Sequence, residues 1–358
     1  MTPIEELRKE IDLIDDKILE LLIERVALAP KIAEAKSAGD LEHIFDGNRE
    51  TAILTRLHQL SAGRLENFEI NRVFLQIISI CRAHQTRGKI SVFGEKNGWV
   101  EDAALARFGG SALLSADEDI GDFLSHTDAG HLGFACYSPR FSQDHGEVLE
   151  SLLSGRISIV EKFSFIPEFS LVSNSARDLS EAHELCVTNE VLRLLREFFM
   201  SISYDLKIKI CRSASEVYEN LRSVNPVAAV LPSVMLKERT DLIVLREGLK
   251  SELLGPANFM AFARVPNRDY HGDCRALLLC CLNDKAEHLI DILDVIKTFN
   301  LNVFDINTDE FEGKPWYKIA AMEISLPESQ KQLEMLVGEL ERKCVLVKMC
   351  GFYPVFAR

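Results

Sequence analysis

The stretch LELLIERVALAPKIAEAK, from Leu19 to Lys36, carries an arginine at a position where the surrounding pattern calls for a hydrophobic residue. Hydrophobic residues recur around it at steps of three and four, which is typical of one face of an amphipathic helix: Ile4, Leu7, Ile11, Ile14, Ile18, Leu21, Leu28 and Ile32. Arg25 falls on that stripe. Because a buried, unpaired guanidinium is costly, Arg25 is expected either to reach water or to meet an anion inside the protein.

The sequence around this helix is helical throughout. Residues 4–85 show helical periodicity in three segments, at about 4–38, 47–60 and 67–85, with turn-forming stretches between them. The pattern predicts an all-α region of three helices.

The pattern changes at residue 89. Short β-like runs follow and alternate with helical stretches: KISVFG, AGHLGFACY, ISIVEKF, SLVSN, KIKICR, VAAVLP and FMAFARV. Residues 180–200 are predicted to be helical, and strands that alternate with helices favour a parallel α/β fold. From residue 275 the order is strand, helix, strand, and then the same again, which indicates a small ferredoxin-like α+β module.

Composition excludes several functional classes. The net charge of −14 argues against a nucleic-acid partner, because phosphate binding needs a basic field. No apolar run approaches the ~18 residues of a membrane span, and the charged N-terminus does not resemble a signal peptide, so we expect no membrane partner and a cytoplasmic location. The nine cysteines contain no C-x-x-C pair and are predicted to be reduced core residues rather than disulfides or metal ligands.

Three cations on the first helix have informative spacing. Arg25 and Lys36 are eleven residues apart, about 16 Å along one face of an ideal helix, so they could bracket a small dianion. Arg8 precedes Arg25 by seventeen residues, about 25 Å along the axis. One small ligand cannot reach both arginines of a straight helix. If both bind the same molecule, Arg8 comes from a second chain, and an intertwined homodimer is expected.

The second and third helices add further polar candidates. The second opens with DGNRE, where Asp46 is placed to cap the helix and Arg49 and Glu50 lie in its first turn. In the third, Cys81 lies on an apolar face that ends in polar Gln85. Taken singly, most of these residues could be solvated surface charges or helix ends.

Together, these residues resemble the all-helical class of chorismate mutase. The resemblance covers residues 4–85 and rests on LRKEID, LLIERVALAPKIAEAK, DGNRE and IISICRAHQ. It implies that chorismate is the substrate and that no cofactor or metal is used. It also implies three sets of contacts: Arg8 of the partner chain and Arg25 with the two carboxylates, Lys36 and Gln85 with the ether oxygen, and Glu50, the backbone near Asp46 and Arg49 with the ring hydroxyl. Cys81 stands where the family usually has serine.

The rest of the chain resembles the other parts of a bifunctional chorismate mutase/prephenate dehydratase. We therefore expect a multidomain protein: an all-α helical chorismate mutase domain at 1–87, an α/β two-lobed periplasmic-binding-protein-like domain at 88–268, and an α+β ferredoxin-like ACT regulatory domain at 269–358. GKPW at 313–316 and GFYP at 351–354 carry the ACT resemblance.

Several signatures of the dehydratase and ACT families are altered. GEKNGWV at 94–100 replaces a glycine-rich stretch, CYSPR at 136–140 replaces PIENS, and Ala257 and Asn258 occupy the positions of the expected threonine and arginine. AEHL at 286–289 and NTDE at 307–310 replace the effector-contact stretches, which argues against an amino-acid effector such as phenylalanine.

Three functions therefore remain open. The first is a chorismate mutase with an inactive dehydratase domain. The second is an active bifunctional enzyme in which polar substitutes such as Asn97, Ser138 and Arg140 carry the dehydratase step. The third is a non-enzymatic metabolite sensor. Trp99, Arg140 and His288 are interpreted as surface or groove residues rather than catalysts.

Overall fold

The computed structural model describes residues 3–38, 47–84, 89–96, 98–136, 145–202, 206–236, 241–251, 255–266, 274–282, 287–310 and 318–357. It divides the chain into two compact units. One unit comprises Met1–Ile90 together with Leu105–Leu114, and the other comprises Ser91–Ala104 together with Ser115–Arg358.

The helices confirm the predicted all-α start of the chain. Their bounds are α1 (Pro3–Ala38), α2 (Gly47–Ser61), α3 (Asn67–Ala83), α4 (Trp99–Phe108), α5 (Ile120–Asp128), α6 (His145–Leu153), α7 (Asn189–Leu194), α8 (Arg196–Ser201), α9 (Ala214–Asn220), α10 (Glu287–Thr298) and α11 (Gln330–Glu341). Both α1 and α2 pack against α3. Ala29, Leu54, Ile70 and Ile78 are buried in this helical unit.

The apolar stripe of α1 lies on the surface of the single chain. All eight of its hydrophobic members are exposed, Leu21 at 64% and Ile4 at 62%. The side of α1 that approaches α3 includes half-buried Arg25 and buried Ala29. Arg25 therefore lies at the edge of the stripe, next to the packed face.

A short segment from beyond the three helices completes this unit. Leu105–Leu114 docks on α3, where the backbone N–H of Gly110 donates to Oε1 of Gln76 (3.1 Å) and that of Ser111 donates to Oγ of Ser79 (3.2 Å). Gly109 has φ +86°, and a Cβ there would come within 2.5 Å of Cβ of Ser79. Only glycine fits such a close approach with positive φ.

The strands form two sheets. Their bounds are β1 (Lys89–Phe93), β2 (Leu113–Asp117), β3 (Leu132–Cys136), β4 (Ser158–Phe165), β5 (Phe169–Ser173), β6 (Glu184–Thr188), β7 (Lys207–Cys211), β8 (Val227–Pro232), β9 (Ile243–Leu249), β10 (Ala257–Ala263), β11 (Cys274–Leu282), β12 (Val303–Glu310), β13 (Lys318–Ser325) and β14 (Leu346–Ala357). The nine-stranded sheet has the order β12-β13-β11-β14-β4-β10-β3-β1-β2, and the five-stranded sheet has the order β7-β6-β8-β5-β9.

Neither sheet is simply parallel, so the parallel α/β prediction was too general. Strand β6 pairs parallel with β7 and β8, but β10 pairs antiparallel with β3 and β4, and β5 pairs antiparallel with β8 and β9. The prediction of continuous helix over 180–200 was also wrong, because β6 lies within it. Leu185, Cys186 and Val187 are fully buried between neighbouring strands, and Thr188 then caps α7 by accepting from the N–H of Val191. A short apolar run cannot be assigned to strand or helix by periodicity alone.

The last six elements have the predicted β-α-β-β-α-β order, from β11 to β14. Their strands join the larger sheet through β14, which pairs parallel with β4. A buried ion pair reinforces the junction: Nζ of Lys162 lies 2.6 Å from Oε2 of Glu323, and Nη1 of Arg275 lies 3.3 Å from the same oxygen. The module is thus continuous with the sheet that precedes it.

Eight of the nine cysteines are buried, as expected for core residues, and the ninth, Cys344, is partly buried. None of the described helices combines the length and the apolar character of a membrane-spanning segment.

Candidate functional site

The first part of the site lies where α1 meets α3. Nη1 of Arg25 donates to Sγ of Cys81 (2.7 Å) and to the carbonyl oxygen of Ile77 (3.4 Å). Cys81 is buried and Arg25 is half-buried. The arginine on α1 and the cysteine at the family's serine position are therefore in direct contact, which gives a guanidinium at the edge of the helical core that could receive a carboxylate.

The second part is a buried cluster around Glu50, which is 6% exposed on α2. Its Oε1 accepts from Nη2 of Arg82 on α3, and its Oε2 accepts from Nη1 of Arg107 on α4 (3.0 Å). Both arginines are buried, and their guanidinium carbons lie 5.4 Å and 5.5 Å from the ring centroid of Phe108. Each oxygen of the Glu50 carboxylate thus receives a charged hydrogen bond.

This environment determines the charge of Glu50. Burial by itself raises the pKa of the carboxyl group, but the positive charges and hydrogen bonds of Arg82 and Arg107 outweigh it and hold the pKa below its ordinary value. Glu50 is therefore an anion at neutral pH, and it can only accept hydrogen bonds.

The remaining predicted residues fall into two groups. Arg8 on α1 and Arg49 on α2 are exposed. Asp46, Gln85 and the side chain of Lys36 lie outside the described residues. Contacts of Arg25, Cys81 and Glu50 are given above, and the roles of all eight predicted positions stay predictions.

Sequence reasoning missed Arg82 and Arg107, the two cations that hold Glu50. Arg82 directly follows Cys81 in the quoted motif IISICRAHQ, so its helical position beside the site was available from the sequence. Arg107 carried no such signal, because it comes after strand β1 and outside the helical region. Only the docking of Leu105–Leu114 on α3 brings it to Glu50.

Some of the altered signature residues of the middle region, 88–268, lie among the described residues. Ala257 opens β10 and is fully buried, and Oδ1 of Asn258 accepts from Oγ of Ser164 (2.9 Å). Trp99 was expected at a surface or groove, but it is 5% exposed and packs edge-on against Phe259 with ring centroids 5.5 Å apart. Asn97, Ser138, Arg140 and the side chain of His288 lie outside the described residues.

Two acidic groups approach each other in this middle region. Oε2 of Glu95, which follows β1, accepts from the backbone N–H of Ala214 at the start of α9 (2.6 Å). Burial raises the pKa of Glu95, and burial together with the charge of Glu95 raises that of Glu190, although a hydrogen bond from Trp99 opposes the second shift. Two carboxyl groups that interact electrostatically therefore lie in this region, and burial raises the pKa of both.

Comparison with known proteins agrees with the fold. Residues 7–86 match the sequence model of the chorismate mutase type II family. Over 377 aligned residues the chain is 23% identical to a bifunctional chorismate mutase/prephenate dehydratase of Aquifex aeolicus (strain VF5), and the alignment covers 99% of this chain and 98% of the relative.

Two solved structures share the fold of the rest of the chain. The prephenate dehydratase of Arthrobacter aurescens, in complex with L-Phe, superposes with a TM-score of 0.65 at 15% identity and covers 75% of this chain and 90% of its own. GqqA, described as a novel type of quorum quenching acylase, superposes with a TM-score of 0.60 at 16% identity and covers 75% of this chain and 97% of its own. At these identities the likeness establishes a common fold, and a fold can carry different functions. Residues 7–86 thus match the chorismate mutase type II family, and the chain resembles bifunctional chorismate mutase/prephenate dehydratases over almost its whole length.

Proposed function

We propose that this protein converts chorismate to prephenate in its helical unit. The observation that carries the proposal is the contact between Arg25 and Cys81, within the segment that matches the chorismate mutase type II family. It joins two separate motif stretches, one on α1 and one on α3, around a half-buried guanidinium. A surface arginine with no role in binding would not need this support.

The roles follow the resemblance. Arg25 and Arg8 of a second chain bind the two carboxylates, and Lys36 and Gln85 face the ether oxygen. Glu50 accepts a hydrogen bond from the ring hydroxyl, with Arg49 and the backbone near Asp46 beside it. Cys81 contributes a weak thiol donor where serine would contribute a stronger one.

The chemistry suits these groups. The rearrangement is pericyclic, so it needs no nucleophile, no proton transfer and no covalent intermediate. Catalysis then consists of holding a flexible dianion in a compact, reactive conformation and stabilising the negative charge that develops on the ether oxygen. Arginine matches planar carboxylates through its two parallel N–H groups, and lysine matches a concentrated charge.

A homodimer is part of this proposal. The apolar stripe of α1 is exposed along its whole length, from Ile4 to Ile32. So large an apolar surface on one helix typically marks a protein interface. A second copy of α1 fits it best, because Arg8 lies about 25 Å from Arg25 along the axis and reaches the same substrate only from the other chain.

We also propose that the prephenate dehydratase activity is absent or very weak. Loss of water and carbon dioxide from prephenate needs a donor to assist the leaving hydroxyl group and polar groups to orient the carboxylate. Ala257 donates nothing and is fully buried, and Asn258 is neutral and already bonded to Ser164.

Active bifunctional catalysis is the second candidate, and one observation favours it. The Aquifex relative, which aligns along almost its entire length, is named as a bifunctional enzyme. In that case Asn97, Ser138 and Arg140 would act as substitutes in the dehydratase step. A non-enzymatic sensor is the third candidate, and the match of residues 7–86 to an enzyme family disfavours it.

The C-terminal module is proposed to be ACT-like on the basis of its β-α-β-β-α-β order and the GKPW and GFYP motifs. The related Arthrobacter structure holds L-Phe. Because the effector-contact stretches are replaced here by AEHL and NTDE, we expect phenylalanine to bind weakly or not at all. The resemblance implies a role in aromatic amino acid biosynthesis, and this role together with the reduced, buried cysteines favours a cytoplasmic location.

The experiment is to incubate the purified full-length chain with chorismate and to separate prephenate from phenylpyruvate. We expect prephenate to accumulate without added metal or cofactor. Arg25→Ala is expected to lower kcat/KM by about 100-fold or more, the scale observed when one donor to developing charge is removed. Arg72→Ala, which removes an exposed arginine from α3, serves as the control and leaves the rate unchanged. A folded wild-type protein that leaves chorismate unchanged would refute the proposed function.

A further inference from the structure

The buried cluster around Glu50 includes a residue that no part of the mutase motif contains. Arg107 lies near the end of α4, 21 residues beyond the last residue of the family match at position 86. It is 3% exposed, and its Nη1 lies 3.0 Å from Oε2 of Glu50. An arginine this deeply buried is kept only where it is paired.

We infer that Arg107 is a positioning residue of the mutase site, which together with Arg82 fixes the carboxylate of Glu50 to accept the ring hydroxyl of chorismate. The inference rests on the proposed function and adds a residue to its machinery. Arg107 does not touch substrate in this scheme, and it acts only through Glu50.

The geometry supports orientation as well as charge. Arg82 holds one oxygen of Glu50 and Arg107 holds the other, so the carboxylate plane is fixed from two helices. Arg82 is fixed in turn, because its Nη1 donates to the carbonyl oxygen of Phe108 (3.3 Å). When each oxygen accepts one N–H group, a carboxylate still has lone pairs to accept a further hydrogen bond.

The segment that carries Arg107 is held firmly enough for this role. Gly110 and Ser111 donate backbone hydrogen bonds to side chains of α3, and Gly109 packs directly against Ser79. Groups that must hold a functional side chain in a fixed geometry are themselves locked by packing and hydrogen bonds.

The charge environment predicts how Arg107→Gln would act. Among the described residues, Arg82 on α3 and Arg107 on α4 are the charged groups that contact Glu50, while its neighbour Arg49 on α2 is exposed. Burial raises the pKa of Glu50, and the charge of Arg107 lowers it. Removing that charge therefore raises the pKa of Glu50. The acidic limb of the kcat/KM profile therefore moves to higher pH.

The test compares five variants of the full chain with the wild type. Arg107→Gln is expected to lower kcat/KM for chorismate by about tenfold, equivalent to about 1.4 kcal/mol, and to raise the pH of the acidic limb. Arg107→Lys keeps the charge and recovers part of both effects. Ser79→Ala is the matched control: it removes a hydrogen bond between α3 and the same segment without touching Glu50, so it lowers Tm but leaves the pH profile unchanged.

The fourth and fifth variants, Glu50→Gln alone and Glu50→Gln with Arg107→Gln, test whether Arg107 acts through Glu50. In the Glu50→Gln background, adding Arg107→Gln is expected to cost less than about twofold, because effects of residues that act together are not additive. An active wild type with an unchanged rate and pH profile in Arg107→Gln would overturn the inference and leave the proposed function standing. Equal costs of Arg107→Gln in both backgrounds, or a loss no greater than that of Ser79→Ala at the same Tm, would overturn it too. If the wild type is inactive, the proposed function fails first and this inference fails with it.

Discussion

Replacing Cys81 by serine tests whether the contact between α1 and α3 prepares Arg25 for substrate. Nη1 of Arg25 lies 2.7 Å from Sγ of Cys81 and 3.4 Å from the carbonyl oxygen of Ile77, so the sulfur is its nearer partner. Sulfur is a weak hydrogen-bond acceptor, and a thiol is a weak donor. A serine hydroxyl would hold the guanidinium at an ordinary distance of about 2.7–3.2 Å and could also donate to a substrate carboxylate.

The size of the effect follows from the hydrogen bonds exchanged. A net hydrogen bond contributes about 0.5–1.5 kcal/mol, and the existing sulfur contact already supplies part of it. The gain in transition-state stabilisation should therefore correspond to a rise of about two- to tenfold in kcat/KM for Cys81→Ser. Cys81→Ala removes both the acceptor and the donor, and a fall of similar size is expected.

The assay measures initial rates of chorismate consumption over a range of concentrations for the wild type and both variants. Thermal unfolding of each variant checks that the site remains intact, since Cys81 is buried and its replacement perturbs packing. The expected order of kcat/KM is serine, cysteine, alanine. If Cys81→Ser is no faster than Cys81→Ala while both remain folded, the contact with Arg25 has no part in catalysis.

Three further predictions concern the dimer, the middle region and pH. Mixing inactive Arg8→Ala with inactive Arg25→Ala protein should restore part of the mutase activity once subunits exchange, and proven exchange without recovery would exclude a shared site. Changing Ala257→Thr together with Asn258→Arg should create or raise phenylpyruvate formation from prephenate, whereas no gain in a folded double variant would show that more than these two residues has been lost. The pKa of Glu50 is lower in the folded protein than in the unfolded chain. Its contribution to the free energy of unfolding is therefore complete above the unfolded pKa of about 4.3 and is lost as the pH falls through the folded pKa. Urea unfolding of Glu50→Gln over this pH range should lack that component, and a pH dependence equal to that of the wild type would contradict the assignment.

The sequence predicted the elements of the fold better than their pairing. Helical periodicity gave the three N-terminal helices to within two residues at each described end, because long amphipathic segments carry a strong repeating signal. Strand β6 was missed because five residues followed directly by a capped helix carry too few repeats to reveal their period. The mixed pairing of β10 could not be predicted, since it depends on which strands meet after long excursions of the chain.

The candidate site was predictable only where its residues lie in the motif stretches of the helical region. Arg25, Glu50 and Cys81 were identified from spacing and resemblance, and the structure places all three in buried or half-buried positions. Arg107 could not be found in this way, because it is 57 residues from Glu50 in the chain and no local pattern connects them. The exposed stripe of α1 shows the converse: the period was correct, but no described residue of the same chain covers the stripe.

The position of Arg107 in the chain bears on where the helical unit ends. The helical unit is built from two separate stretches, and the second, Leu105–Leu114, begins after strand β1 has already started the larger sheet. A chain cut after residue 87 would keep the mutase motif and Arg82 but lose Arg107, which would leave the buried carboxylate of Glu50 with one of its two described cations. Removing one partner from a buried charge cluster is strongly destabilising, because the remaining charge stays buried without full compensation. The middle region can therefore be retained for a reason unrelated to dehydratase chemistry: it supplies the segment that completes the charge balance of Glu50.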